Sequence, residues 1–95
     1  MNFLKRFFHP PEMTYSEVAD LLGGFVEGTG GDWDWDNFFD ARFEDPYLKS
    51  VQHRCTFLDR EFPARKGQGY CGPAGIEVIR DYIEELRAKA GERRP

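Results

Sequence analysis

The sequence contains few cysteines, no zinc-binding spacing and no long apolar run. Only Cys55 and Cys71 occur among its 95 residues, too few for the dense disulfide framework of a small secreted domain. No pair of cysteines, or of cysteine and histidine, has the spacing of a zinc site. No span is long enough to cross a bilayer, and the first residues lack the continuous apolar run of a signal peptide. We therefore expect a cytoplasmic protein with reduced thiols.

Positive charge is also scarce. The formal net charge is −4, whereas a general nucleic-acid binder needs a surplus of Lys and Arg on one face to neutralise phosphates. The negative charge is concentrated between residues 27 and 45, where seven acids accompany a single base, Arg42. These acids are Glu27, Asp32, Asp34, Asp36, Asp40, Glu44 and Asp45. This distribution favours a basic protein partner over nucleic acid or a membrane, and no motif indicates a cofactor.

The length of the chain gives room for one domain, 1–95, with a modest core. We divide it into an N-terminal arm (1–13), a helical core (14–91) and a tail (92–95). A short helical turn in the arm would place apolar residues opposite two bases, as in a membrane-surface anchor. Because two turns bury too little area for stable anchoring, we prefer an arm that packs on the domain. The residues concerned are Phe3, Leu4, Lys5, Arg6, Phe7 and Phe8.

Two helices are predicted from strong capping signals. The capping box Thr14-x-x-Glu17 opens a helix over about 15–27, since each side chain satisfies the other residue's free backbone amide. Gly28 suits the left-handed conformation that ends such a helix. Asp45-Pro46 opens a second helix, because aspartate is a good cap and proline tolerates the first helical position. Its apolar residues recur at helical spacing as far as Phe62-Pro63.

Two further helices complete the prediction. Asp32 or Asp34 is expected to cap a short helix that reaches Phe39. Gly72-Pro73 opens the last helix, and Gly91 is expected to end it. No stretch alternates apolar and polar residues over the length of a strand. The sequence therefore predicts an all-α fold, an irregular bundle of three to four helices.

Alternating carboxylates suggest one kind of chemistry. Asp32-x-Asp34-x-Asp36 resembles the opening of a calcium-binding loop, in which such side chains converge on one cation. The twelfth position of that loop, where a bidentate Glu belongs, is Phe43. Helix capping and a solvated acidic face explain the same residues, so we expect no metal.

Cys71 is the candidate reactive thiol. Tyr70-Cys71-Gly72-Pro73-Ala74 resembles the Trp-Cys-Gly-Pro-Cys motif of thioredoxins, and a helix N-terminus would stabilise a thiolate placed just before it. Ala74 replaces the second cysteine and no strand is readable before the motif, which argues against that family. A small, half-buried cysteine in a turn is the commoner outcome. If Cys71 does react, His53 is the only credible base, and the protein would be a thiol-dependent enzyme or a redox-sensitive regulator.

The acidic stretch is the candidate binding surface. Aromatic side chains are frequent hot spots of protein interfaces, and surrounding acids steer a basic partner towards them. The alternative is that the rings of this stretch belong to the core, and a chain of this size is expected to bury most of them. The carboxylates would then form the surface. The predicted partner-binding residues are Asp32, Asp34, Asp36, Asp40, Glu44 and Tyr70.

Four short patterns together resemble a family of small, uncharacterised bacterial proteins. They are Trp33-Asp34-Trp35-Asp36-Asn37-Phe38, Asp45-Pro46-x-Leu48, Glu61-Phe62-Pro63 and Tyr70-Cys71-x-x-x-Gly75. The likeness covers most of the chain after residue 14 and implies no activity.

The region of the last helix is similar to colicin-type DNase immunity proteins, in which a tyrosine-bearing turn precedes a Ser-Pro-x-Gly-Ile helix. The residues are Tyr70, Pro73-Ala74-Gly75-Ile76-x-x-Ile79 and Tyr82, about a fifth of the chain. This resemblance implies a small acidic helical protein that binds a basic nuclease and blocks its access to substrate. The chain departs from that family where Cys71 replaces the second of two tyrosines, and the family's acidic binding helix has no counterpart except residues 31–45. We expect an immunity- or antitoxin-like inhibitor, with binding rather than catalysis as its activity.

Overall fold

A computed structural model describes residues 12–28, 34–65 and 69–92 of the chain, with the backbone alone for Asp34 and Glu92. It contains five helices over these ranges: α1 (Tyr15–Glu27), α2 (Asp34–Asp40), α3 (Pro46–Thr56), α4 (Leu58–Glu61) and α5 (Pro73–Glu92). No strand is present in the described ranges, and the all-α prediction is confirmed. No helix among these residues is long and apolar enough to span a membrane.

The capping signals of α1 and α3 act as the sequence predicts. The backbone N–H of Glu17 donates to Thr14 Oγ1 at 3.1 Å, and the N–H of Thr14 donates to Glu17 Oε1 at 2.9 Å. Gly28 ends α1 with φ of 74°, in the left-handed region that glycine adopts at little cost. The side chain of Asp45 accepts from two backbone amides of the first turn of α3.

The helix predicted from Asp45-Pro46 to Phe62-Pro63 is interrupted at Phe57, which separates α3 from the single turn of α4. Phe57 N–H donates to Arg54 O at 3.2 Å. This hydrogen bond joins residues three apart, as in the 3₁₀ turn that often ends an α-helix. The hydroxyl of Tyr70 lies 3.0 Å from Cys55 O and 2.9 Å from Thr56 O, two carbonyls at the end of α3. The break therefore depends on a residue distant in sequence, which local periodicity does not reveal.

The end of α5 also differs from the sequence prediction. The helix continues through Gly91 to Glu92 instead of ending at Gly91. Among the described glycines only Gly28 and Gly69 have positive φ, so Gly91 does not adopt the left-handed conformation of a terminator.

The core lies where α1 meets α5, with α2, α3 and α4 closing around it. The contact of α1 with α5 is the most extensive between any two helices of the described chain. Its fully buried large side chains are Leu22, Phe38, Leu48, Leu58, Ile79 and Leu86, with Val18, Val51 and Cys55 among them. The only ring in this set is Phe38 of α2, and its burial helps to hold the short acidic helix against the bundle.

Candidate functional site

The outward face of α2 carries two of the predicted binding residues. Asp36 and Asp40 are both exposed and lie four residues apart, so they share one face of the helix. Asp34 is the first residue of α2. Glu44 is exposed in the loop that follows, whereas Asp32 lies outside the described residues.

The carboxylates of this face have no partner among the described residues, in contrast to some other acids of the chain. Within the described ranges, Asp36, Asp40 and Glu44 make no side-chain hydrogen bond or ion pair. Two of those other acids form ion pairs: Asp20 Oδ1 lies 3.3 Å from Arg87 Nη1, and Glu61 Oε1 lies 3.0 Å from Arg54 Nη2. The charge of α2 is thus available to an external cation.

Half-buried aromatic rings of α2 pack against rings of the neighbouring segments. Trp35 stacks on Phe25 of α1 with ring centroids 3.9 Å apart, and it meets Phe39 edge-on at 4.8 Å. Tyr70 meets Trp35 edge-on at 5.4 Å. The expectation that the rings of this stretch belong mainly to the core is met by Phe38 and Phe43, and the half-buried Trp35 and Phe39 pack against that core. Trp33 lies outside the described residues.

Tyr70 is anchored by its hydroxyl. Besides the two carbonyls of α3, the hydroxyl lies 3.4 Å from Asp59 Oδ1. Burial, and then the negative charge of Asp59, raise the pKa of Tyr70 to about 12. Its hydroxyl is therefore occupied within the chain, and the ring edge is what this residue can offer a partner.

Gln52 is a site residue that the sequence did not reveal. From α3 its side-chain Nε2 lies within 2.9 Å of Phe38 O, 3.2 Å of Phe39 O and 2.7 Å of Ala41 O. These carbonyls lie at the C-terminal end of α2, where the helix itself offers no N–H donors to them. Gln52 thus caps the acidic helix from a neighbouring helix. No local sequence motif predicts such a contact.

Glu12 organises the loop that carries Glu44. Its carboxylate accepts from the backbone N–H of Glu44 at 2.7 Å and from that of Asp45 at 3.2 Å. Tyr15 Oη donates to Asp45 Oδ2 at 2.7 Å. The backbone of Glu44 is therefore held while its side chain points to solvent.

Cys71 is buried, with 4% of its surface exposed. A Cβ atom at Gly75 would lie 2.7 Å from Cys71 Sγ, so the sulfur occupies the space that this glycine leaves. Burial, followed by the charge of Asp59, raises the pKa of the Cys71 thiol. This favours the neutral thiol over the reactive thiolate.

The predicted base does not reach this thiol. His53 is exposed, and its ring packs edge-on against Phe57 with centroids 5.0 Å apart. Burial raises the pKa of Cys55, the other cysteine, to about 12. Among the described residues, the structure does not bring His53 to Cys71.

Neither a metal site nor a known relative adds to this description. No group of three potential metal-ligating side chains occurs in the part of the chain described. Comparison of the chain with family models, curated proteins and solved structures gives no match.

Proposed function

We propose that this protein is a small acidic protein-binding domain that acts in the cytoplasm as an immunity- or antitoxin-like inhibitor of a basic partner protein. Binding would use the carboxylates of Asp34, Asp36, Asp40 and Glu44, with Asp32 contributing to the same negative field and the ring of Tyr70 beside them. The supporting observation is the set of exposed acids in and after α2 that have no partner among the described residues.

The position of Asp40 strengthens the proposal. It occupies the last residue of α2, a turn that contains no base. A negative charge at a helix C-terminus is unfavourable by roughly 0.3–1 kcal/mol at an exposed site. The charge of Asp40 therefore does not help the fold, and it pairs with nothing in the described structure. An external partner explains its presence better than folding does.

The neighbouring rings complete the chemistry of an interface. Trp35, Phe39 and Tyr70 are each half-buried and pack against one another, so part of each side chain stays accessible on or beside α2. Tyrosine and tryptophan are enriched among hot spots, and acids around them raise the association rate of a basic partner. We expect electrostatic steering by the acids and most of the contact energy from the rings.

The test is capture of partners from the native host with wild-type protein and with the double variant Asp36→Asn/Asp40→Asn. A matched control is Glu61→Gln/Glu85→Gln, which removes the same charge from α4 and α5. We expect a basic protein to bind the wild type and the control at low salt, and to be lost from the α2 variant or at high salt. Equal capture by all three proteins, or capture indifferent to salt, would contradict the proposal.

A thiol-dependent function receives no support from the described geometry. The buried, neutral thiol of Cys71 is expected to react with an alkylating reagent only when the fold opens. Its labelling rate should therefore fall in stabilising conditions. Rapid labelling of the native protein near pH 7 would restore this alternative.

A further inference from the structure

A groove runs between the second half of α1 and the middle of α5, apart from the acidic face of α2. Its volume is about 360 Å³, large enough for one long side chain and at the low end for a small-molecule site. Gly23, Val26 and Ile83 contribute the apolar part of its lining. Four acids also line it: Glu27, Glu77, Asp81 and Glu84.

The unpaired charges at this groove are all negative. Two bases also line it, but each is matched: Arg80 Nε lies 3.7 Å from Glu77 Oε1, and Arg87 pairs with Asp20. Among the described residues, Glu27, Asp81 and Glu84 have no ion pair or side-chain hydrogen bond. The groove therefore complements a cation.

Gly23 keeps the groove open at a cost to the helix. It lies in the interior of α1, where glycine is less favourable than alanine because it loses more backbone entropy on folding. No backbone strain requires it, since its φ is not positive. A Cβ there would meet only the guanidinium of Arg87, at an ordinary 3.7 Å. Neither sterics nor backbone conformation requires the glycine, and its missing side chain leaves space in the groove.

We propose that this groove receives a single arginine or lysine side chain of the basic partner. The aliphatic stem would lie on Val26 and Ile83, with the cationic end among Glu27, Asp81 and Glu84. The inference rests on the proposed function in one respect only, that the side chain belongs to a protein partner. It adds a second contact, so that the partner is held both at α2 and at the groove between α1 and α5.

The groove is tested directly with N-acetylarginine amide as the probe and its uncharged isostere N-acetylcitrulline amide as the control. Backbone amide signals of the whole chain are followed by NMR during each titration. We expect weak, saturable shifts centred on Gly23, Val26 and Ile83 with the arginine probe and no localised shifts with citrulline. The same pattern with both probes, or no shift at the groove, would overturn the proposal.

Variants give a second criterion. Gly23→Leu fills the groove and should abolish the arginine-induced shifts, whereas Gly91→Leu, where a Cβ meets nothing within 4 Å, should leave them intact. Replacing Glu27 or Glu84 by Gln should weaken binding of the probe about two- to fivefold, as expected for an exposed charge pair. Unchanged binding in these three groove variants would contradict the assignment.

The two proposals fail separately. If the groove signals respond as expected but partner capture is insensitive to Asp36→Asn/Asp40→Asn, the proposed function is wrong while the groove remains a cation site. If capture depends on α2 but the groove signals do not move, the groove proposal is the one overturned.

Discussion

The side-chain amide of Gln52 in α3 donates to the carbonyl oxygen of Ala41 at 2.7 Å, immediately beyond the end of α2. The same nitrogen also approaches two carbonyls of the last turn of α2. One neutral side chain on a neighbouring helix thus caps the acidic helix that carries the proposed binding face. Because no base occupies the last turn of α2, this cap is also what opposes the negative end of its dipole.

Replacing Gln52 by Ala should lower the free energy of unfolding by about 1–3 kcal/mol, since it leaves partly buried carbonyls without a donor. Chemical denaturation measures the loss. Amide hydrogen exchange should rise in α2 more than in α5. Thr56→Ala is a suitable control, because Thr56 Oγ1 bonds only within its own helix, to Gln52 O at 2.8 Å. A Gln52→Ala protein as stable as the control would show that the cap contributes nothing.

The hydroxyl of Tyr70 predicts both a mutational and a pH effect. Tyr70→Phe keeps the ring but removes the donor to the end of α3, and should cost about 0.5–1.5 kcal/mol. Folding raises the pKa of Tyr70 from its ordinary value of about 10 to about 12. The folded state then holds this proton more tightly than the unfolded state. The resulting stability is fully present below about pH 10 and is lost as the pH rises towards about 12.

The measurement is the difference in unfolding free energy between wild type and Tyr70→Phe, followed across this alkaline range. Taking the difference removes the contributions of Tyr47 and Tyr82, whose pKa values are also raised by burial. The stability gap should narrow as the pH increases. A gap independent of pH would mean that Tyr70 ionises as it does in the unfolded chain.

The close packing of Cys71 against Gly75 predicts a non-additive double mutant. Gly75→Ala should destabilise the fold by about 1–3 kcal/mol, because the new Cβ would lie 2.7 Å from Cys71 Sγ. Adding Cys71→Ala removes the sulfur and should recover part of the loss. A double-mutant cycle by denaturation gives the coupling, which is expected to exceed about 0.5 kcal/mol. Additive losses would mean that the two residues do not share this space.

Asp40 offers a test of the trade between stability and binding. Asp40→Asn should raise the free energy of unfolding by about 0.3–1 kcal/mol, because it removes a negative charge from the C-terminus of α2. Asp36→Asn lies in the first half of the helix and should instead be neutral or slightly destabilising. Thermal unfolding of the two variants at low ionic strength compares them. If Asp40→Asn is the less stable of the two, Asp40 has a structural role and its charge is no argument for a partner.

The sequence predicts the elements that are set by adjacent residues. Three signals act within one turn of the chain: the capping box at Thr14, the glycine at position 28 and the Asp45-Pro46 pair. The start and end of α1 and the start of α3 agree with them. The break at Phe57 could not be anticipated, because Tyr70 satisfies the end of α3 from across a loop. Gly91 shows the opposite limit, since a glycine permits a helix end without imposing one.

The candidate site was predictable in composition but not in geometry. The acids of α2 were recognisable from charge alone, and Asp36 and Asp40 do share an exposed face. The sequence gives no signal for Gln52, whose contacts lie 11 to 14 residues away. The sequence predicts Tyr70 as a partner-binding residue, whereas its hydroxyl bonds inward and its ring packs edge-on against Trp35.

The central claim, that the unpaired carboxylates of α2 attract a basic partner, is tested most directly by association kinetics. The rate constant for binding of the captured partner is measured against ionic strength for wild type, Asp36→Asn/Asp40→Asn and the control Glu61→Gln/Glu85→Gln. We predict a rate that falls steeply with salt for the wild type and the control, and a slower, flatter dependence for the α2 variant. The same rate and salt dependence for all three proteins would contradict the account.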